Sequence, residues 1–99
     1  MFGRNKRIFM TRAVANEMSQ GHLQFIIGFI YEHQEQLTDY FQIFEFYTEN
    51  DQQWLIQRQE KPDRETTIFV NLNDSKPITR KVWVIDQVDH MRVLFPEDY

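Results

Sequence analysis

The sequence predicts an α+β fold in which one main amphipathic helix packs on a mostly antiparallel sheet of about five or six strands. Three observations lead there. Stepping about 100° per residue through Gly21 to Leu37 puts Ile26, Leu37, Ile30, Leu23 and Ile27 in one stripe, which Phe25 and Phe29 widen on one side and Tyr31 on the other. The next segment, Tyr40 to Tyr47, sets Tyr40, Phe44 and Phe46 on one side of a strand and Phe41, Ile43 and Tyr47 on the other. Further alternating stretches, separated by turn residues, then fill the rest of the chain.

Taken in order, Arg7 to Arg12 reads as a first short strand at a sheet edge, where Arg residues guard unpaired backbone. Ala13 to Met18 is a connection or a short helical turn. Ser19 can cap the main helix by accepting an orphan backbone N–H, and the helix is expected to end near Leu37. Tyr40 to Thr48 also satisfies helical spacing through Tyr40, Ile43, Phe44 and Tyr47, but its aromatic content and the turn Glu49-Asn50-Asp51 favour a strand. Trp54 to Gln59 returns as its hairpin partner, with Trp54, Ile56 and Arg58 on one face. Lys61, Pro62 and Asp63 break it, and Thr66 to Leu72 follows as a strand with Thr66, Ile68, Val70 and Leu72 inward. After the loop Asn73 to Pro77, Arg80 to Asp86 and Met91 to Phe95 form a last hairpin around Gln87 to His90.

Ninety-nine residues with 41% hydrophobic content make one globular domain spanning 1–99. A net charge of −4 and a pI near 5.3 argue against binding nucleic acid by phosphate neutralisation. The absence of cysteine excludes disulfides, thiolate metal sites and a Cys nucleophile, and fits a cytoplasmic protein. The basic start, Arg4, Lys6 and Arg7, is followed by too short an apolar run for a signal peptide. Leu23 to Tyr31 falls well short of the roughly 20 apolar residues that a membrane span needs.

No motif specifies a reaction, and no cofactor is expected. The loop Asp86-Gln87-Val88-Asp89-His90 gathers two carboxylates and an imidazole, a set that ligates zinc or manganese or acts as a general base; the alternative is ordinary turn chemistry, with Asp86 and Asp89 bonding to backbone. Arg58, beside Trp54 and near Glu60, could clamp an anionic ligand, or pair with a carboxylate across the sheet, for which Glu45 is the obvious partner. His22 and His33 lie about 16 Å apart along a helix at 1.5 Å per residue, too far to share a metal. They read either as pH-sensitive contacts or as helix-end residues with their polar edges in water. The basic group Arg4, Lys6, Arg7 and Arg12 reads as a solvated strand edge rather than a nucleic-acid contact.

A helix this broadly apolar beside a two-sided aromatic strand leaves more apolar surface than one sheet face absorbs. The leading expectation is therefore a non-enzymatic protein-interaction module, binding a protein partner or a second copy of itself through Phe25, Phe29, Tyr31, Phe41 and Tyr47. The alternative is a small-molecule- or metal-dependent activity at Arg58, Glu60, Asp86, Asp89 and His90; an accessory to nucleic-acid machinery ranks third.

The strings Phe9-Met10-Thr11-Arg12, Arg58-Gln59-Glu60, Val84-Ile85-Asp86 through Asp89-His90, and Glu97-Asp98-Tyr99 resemble, in order and spacing, a family of short uncharacterised Firmicutes proteins catalogued as a domain of unknown function. The resemblance spans almost the whole chain. It implies a small cytosolic bacterial protein and supplies no activity, cofactor or site residue.

Overall fold

In the computed structural model, which describes residues 1–3, 5–72 and 75–99, six strands form one sheet in the order β1-β6-β5-β2-β3-β4. They are β1 (Arg7–Met10), β2 (Phe41–Glu49), β3 (Gln52–Glu60), β4 (Asp63–Phe69), β5 (Arg80–Asp86) and β6 (His90–Leu94). β1 pairs parallel with β6, from Arg7 opposite His90 to Met10 opposite Val93, and the other neighbours are antiparallel. Arg4 of the basic group and Asn73 and Asp74 of the predicted loop lie outside the described residues.

A short helix, α1 (Arg12–Glu17), falls on the segment Ala13 to Met18 read as connection or turn and also takes Arg12, so the first strand ends at Met10 and not at Arg12; Thr11 caps the helix by accepting the Val14 N–H at 3.3 Å. The main helix, α2 (Gln20–Glu32), starts as the sequence requires, with Ser19 Oγ accepting the His22 N–H at 3.1 Å. Its end corrects the expectation of a helix running to Leu37. His33 leaves helical dihedrals, its ring stacks on Phe29 at 4.0 Å, and its Nδ1 bonds the Phe29 carbonyl at 2.9 Å. From there the bonds tighten to i→i−3, as in Gln36 N–H to His33 O at 2.9 Å. Leu37 is still buried, delivered from a turn rather than from the helix.

The Tyr40 to Thr48 segment is a strand, displaced by one residue from the sequence expectation. It returns through Asn50 and Asp51, both at positive φ (54° and 62°), the backbone of a tight two-residue hairpin. β4 begins earlier than the predicted Thr66, because a two-residue connection through Lys61 and Pro62 allows Glu60 to pair directly with Asp63. Val70 and Leu72 therefore lie beyond the strand end, although Val70 is buried and Leu72 packs on the core.

Both helices cover one face of the sheet. Phe44, Leu55, Val82, Val84, Met91 and Val93 meet Ile26, Phe29 and Ile30 there, with Phe2, Val14 and Phe95 closing the margins. That face also buries Gln42, Gln53, Gln57 and Gln59, each 5% exposed or less. Buried amides persist only when hydrogen-bonded. Gln59 Oε1 accepts Gln42 Nε2 (2.8 Å) and the backbone N–H groups of Thr38 (3.0 Å) and Asp39 (3.1 Å), and Gln57 Nε2 donates to Gln42 Oε1. Gln53 donates to the carbonyls of Tyr47, Trp54 and Ile78 and accepts the Ile78 N–H at 2.7 Å. His22 completes this cluster and corrects the reading that places its polar edge in water: it is 1% exposed, with Nε2 3.0 Å from Gln53 Oε1 and Nδ1 2.6 Å from Ser19 Oγ. Because Gln53 turns its NH2 to three carbonyls, its oxygen accepts from Nε2–H. Ser19 O–H then donates to Nδ1, and Ser75 Oγ, 2.9 Å away, donates to Ser19.

Arg80 ties the ends of the chain together. Its guanidinium lies 3.0 Å from Glu17 of α1, 2.6 Å from Glu97 in the 3₁₀ turn Pro96–Asp98, and 3.6 Å from the Phe95 ring centroid. Burial disfavours the charged guanidinium, but the hydrogen bonds it donates to Glu97 and Glu17 outweigh it and raise the Arg80 pKa. Glu97 titrates below the ordinary carboxylate value, held down by a backbone hydrogen bond and then by Arg80.

Candidate interaction surface

The period-two alternation that buries one set of side chains delivers the other set to the opposite face. On β2 these are Phe41, Ile43, Glu45 and Tyr47; on β3, Trp54, Ile56 and Arg58; on β5, Lys81, Trp83 and Ile85. β4 adds Glu65, Thr67 and Phe69. Among the described residues no helix crosses this second face. Most of its side chains are half-buried by their own neighbours, and Phe69 is 45% exposed.

Rings and charges sort into zones. Phe41 packs edge-on against Trp83 at 4.9 Å, Tyr99 also meets Trp83 edge-on at 5.7 Å, and Trp54 meets Phe69 at 5.3 Å. Such edge-to-face pairs contribute about 0.5–1.5 kcal/mol beyond area burial. Between the two aromatic zones runs a chain of ion pairs: Glu65 to Arg58 at 2.8 Å, Arg58 to Glu45 at 3.3 Å, and Glu45 to Lys81 at 3.6 Å. Glu45 thus finds the cross-strand cation that its sequence setting calls for. A shallow depression of about 310 Å³ lies there, bordered by Glu45, Tyr47, Ile56 and Lys81. The indole N–H of Trp83 is buried without a hydrogen-bond partner among the described residues.

The residues predicted as an interface divide. Phe41 and Tyr47 lie on this second face. Phe29 is 7% exposed and packs edge-on against Phe44 in the core, and Tyr31 is half-buried against the same core. Phe25 lines a cleft of about 510 Å³ between α2 and β4, shared with Gly28, His33, Thr66 and Ile68. A Cβ at Gly28 would meet no atom within 4 Å, so the cleft is open there.

The second predicted set is dispersed among different partners. Arg58 is held by Glu45 and Glu65, Glu60 is exposed at the end of β3, and Asp86 pairs with Lys6 at 2.5 Å. Asp89 and His90 are brought together, Oδ1 to Nδ1 at 2.7 Å, and that hydrogen bond holds the Asp89 carboxyl below its usual range. Among the described residues no three His, Asp or Glu side chains gather to hold a metal. Between them, Val88 is 83% exposed and adopts φ 71°, strained for a β-branched residue. Sequence reading missed the contributions of Trp83, Phe69, Glu65 and Lys81 to the second face. The parity they share with Phe41 and Tyr47 is visible only once strand register is known.

The architecture defines a class: an α+β protein whose helices occupy one side of a mixed sheet. The chain belongs to the family described as Staphylococcal protein of unknown function (DUF960), whose model matches residues 7–98. Its fold is similar to a solved structure described as a protein of unknown function from Enterococcus faecalis, with a TM-score of 0.87 at 15% identity over 99% of this chain and 94% of the other. A search among curated proteins returns no match. Among the described residues no helix is long and apolar enough to cross a membrane.

Proposed function

We propose that the protein is a non-enzymatic interaction module that works in the cytoplasm and binds its partner through the second face of the sheet. The observation that supports this is the composition of that face: Tyr47, Trp54, Phe69 and Trp83 flank a line of paired charges, and among the described residues no helix covers them. Aromatic anchors around polar pairs are the chemistry that protein interfaces favour. The cysteine-free sequence supports the compartment. The alternative, a small-molecule or metal activity, has less support, since Arg58 and Asp86 already have carboxylate and ammonium partners of their own.

The test is a photo-crosslinking residue placed at Ile56, on the face, and in a separate variant at Gln24, on the exposed arc of α2. Adducts formed in cells from position 56 and not from 24 are the expected result. Equal yields from the two positions, or none from 56, would end this reading.

A further inference from the structure

We propose that the occupant of the second face is a second copy of this chain, packed sheet on sheet about a two-fold axis that runs along the strands between β2 and β3. The inference rests on the interaction reading above and names the partner. What points to it is the order of the charges.

Read across the sheet from β4 through β3 and β2 to β5, Glu65, Arg58, Glu45 and Lys81 alternate in sign. A two-fold along the strands reverses that order in the facing copy, so β5 lies over β4 and β2 over β3. Lys81 then stands one residue pair from Glu65 of the other copy, since its row partner across the sheet is Thr67 and Glu65 is the next outward residue on β4. By the same geometry Glu45 stands one pair from Arg58. A negative row end thus meets a positive one at both ends, which is what an isologous contact requires of a single patch. A two-fold across the strands would instead set β2 over β2 and β5 over β5, and with its axis at the row of Glu45 and Lys81 it brings Glu45 to Glu45 and Lys81 to Lys81. Like charges opposed in this way are penalised by several kcal/mol.

The aromatic residues obey the same operator. Tyr47 and Trp54 are register partners on β2 and β3. The axis between those strands lays each over the other's counterpart, so that two Tyr47–Trp54 contacts form per dimer. Strand directions stay aligned, the usual arrangement of face-packed sheets.

Charge reversal tests this independently of folding. Within one chain Lys81 pairs with Glu45 and Arg58 with Glu65, whereas between copies the carboxylate nearest Lys81 is Glu65, one residue pair along the facing strand. Lys81→Glu should therefore weaken the dimer by about tenfold or more, since the contact occurs twice. Adding Glu65→Lys should restore it, although the double variant breaks both intrachain pairs. Sedimentation equilibrium of the full chain and both variants reads the result, with circular dichroism confirming that each is folded. Twice the 12.2 kDa chain mass for the parent and the double variant, with the single variant dissociating, is the expected outcome. A double variant no tighter than the single one overturns the packing. A strict monomer that still yields Ile56 adducts of another mass overturns the second copy and leaves the interaction reading intact; a monomer with no adducts overturns both.

Discussion

Replacing Gln53 with leucine isolates the contribution of the buried polar cluster. The side chain is 5% exposed, and its oxygen is the acceptor for the Ile78 N–H at 2.7 Å and for His22 Nε2 at 3.0 Å. Leucine fills similar volume, so little cavity energy enters. One buried donor (His22) and one half-buried donor (Ile78) lose their acceptor, at about 1–3 kcal/mol each, and three carbonyls lose a donor, so a total near 3 kcal/mol is expected. For a domain of this size that lowers Tm by about 12–24 °C. Urea unfolding followed by Trp fluorescence measures it, with the exposed neighbour Gln52→Ala as a control that should stay within about 0.5 kcal/mol of the parent. In a double variant with His22→Leu, the two losses should fall short of their sum by about 1 kcal/mol, because each removes the same bond. A loss below about 1 kcal/mol for Gln53→Leu would refute the reasoning, since it would mean that water satisfies these groups as well as the amide does.

Other expectations follow from the same physics. Phe44→Ala, at a fully buried position, should cost about 3–5 kcal/mol by denaturant titration. Val88→Gly should raise stability by about 1–2 kcal/mol by relieving the positive φ, whereas a Val88→Ile variant should gain nothing in the same titration. Asp89 and Glu97 titrate lower folded than unfolded, so their pairing stabilises the protein above the ordinary carboxylate range near pH 4 and is lost as pH falls through the depressed values. Glu97→Gln should therefore flatten the acid limb of a stability-versus-pH curve and leave its neutral-to-alkaline shape unchanged.

Much of the architecture was legible because it follows from local rules. Ser19 had to cap something, the stripe through Ile26 and Ile30 had to face a core, and Arg80 to Asp86 alternated cleanly. Where reading failed, side chains had acted on the backbone. His33 stopped α2 by stacking on Phe29, and a two-residue connection at Lys61 and Pro62 let β4 start three residues early. The inward glutamines were invisible for a related reason: a polar residue on an alternating strand reads as solvent-facing unless its partners, which lie as far away as Ile78, are known. The second face was half legible. Phe41 and Tyr47 announced themselves as surplus, but Lys81 and Glu65 joined them only through register.

The parallel pairing of β1 with β6 also sets a timetable for folding. Arg7 pairs with His90, so β1 finds its place only after β6 has been translated, while β2 with β3 and β3 with β4 pair as neighbours in sequence. A meander of β2 to β4 can form on the ribosome, but β1 stays without its sheet partner until β6 has emerged. During that interval Ile8, Phe9 and Met10 remain available to any other exposed edge. Arg7 and Arg12 bracket those apolar residues with the positive charge that discourages a wrong match.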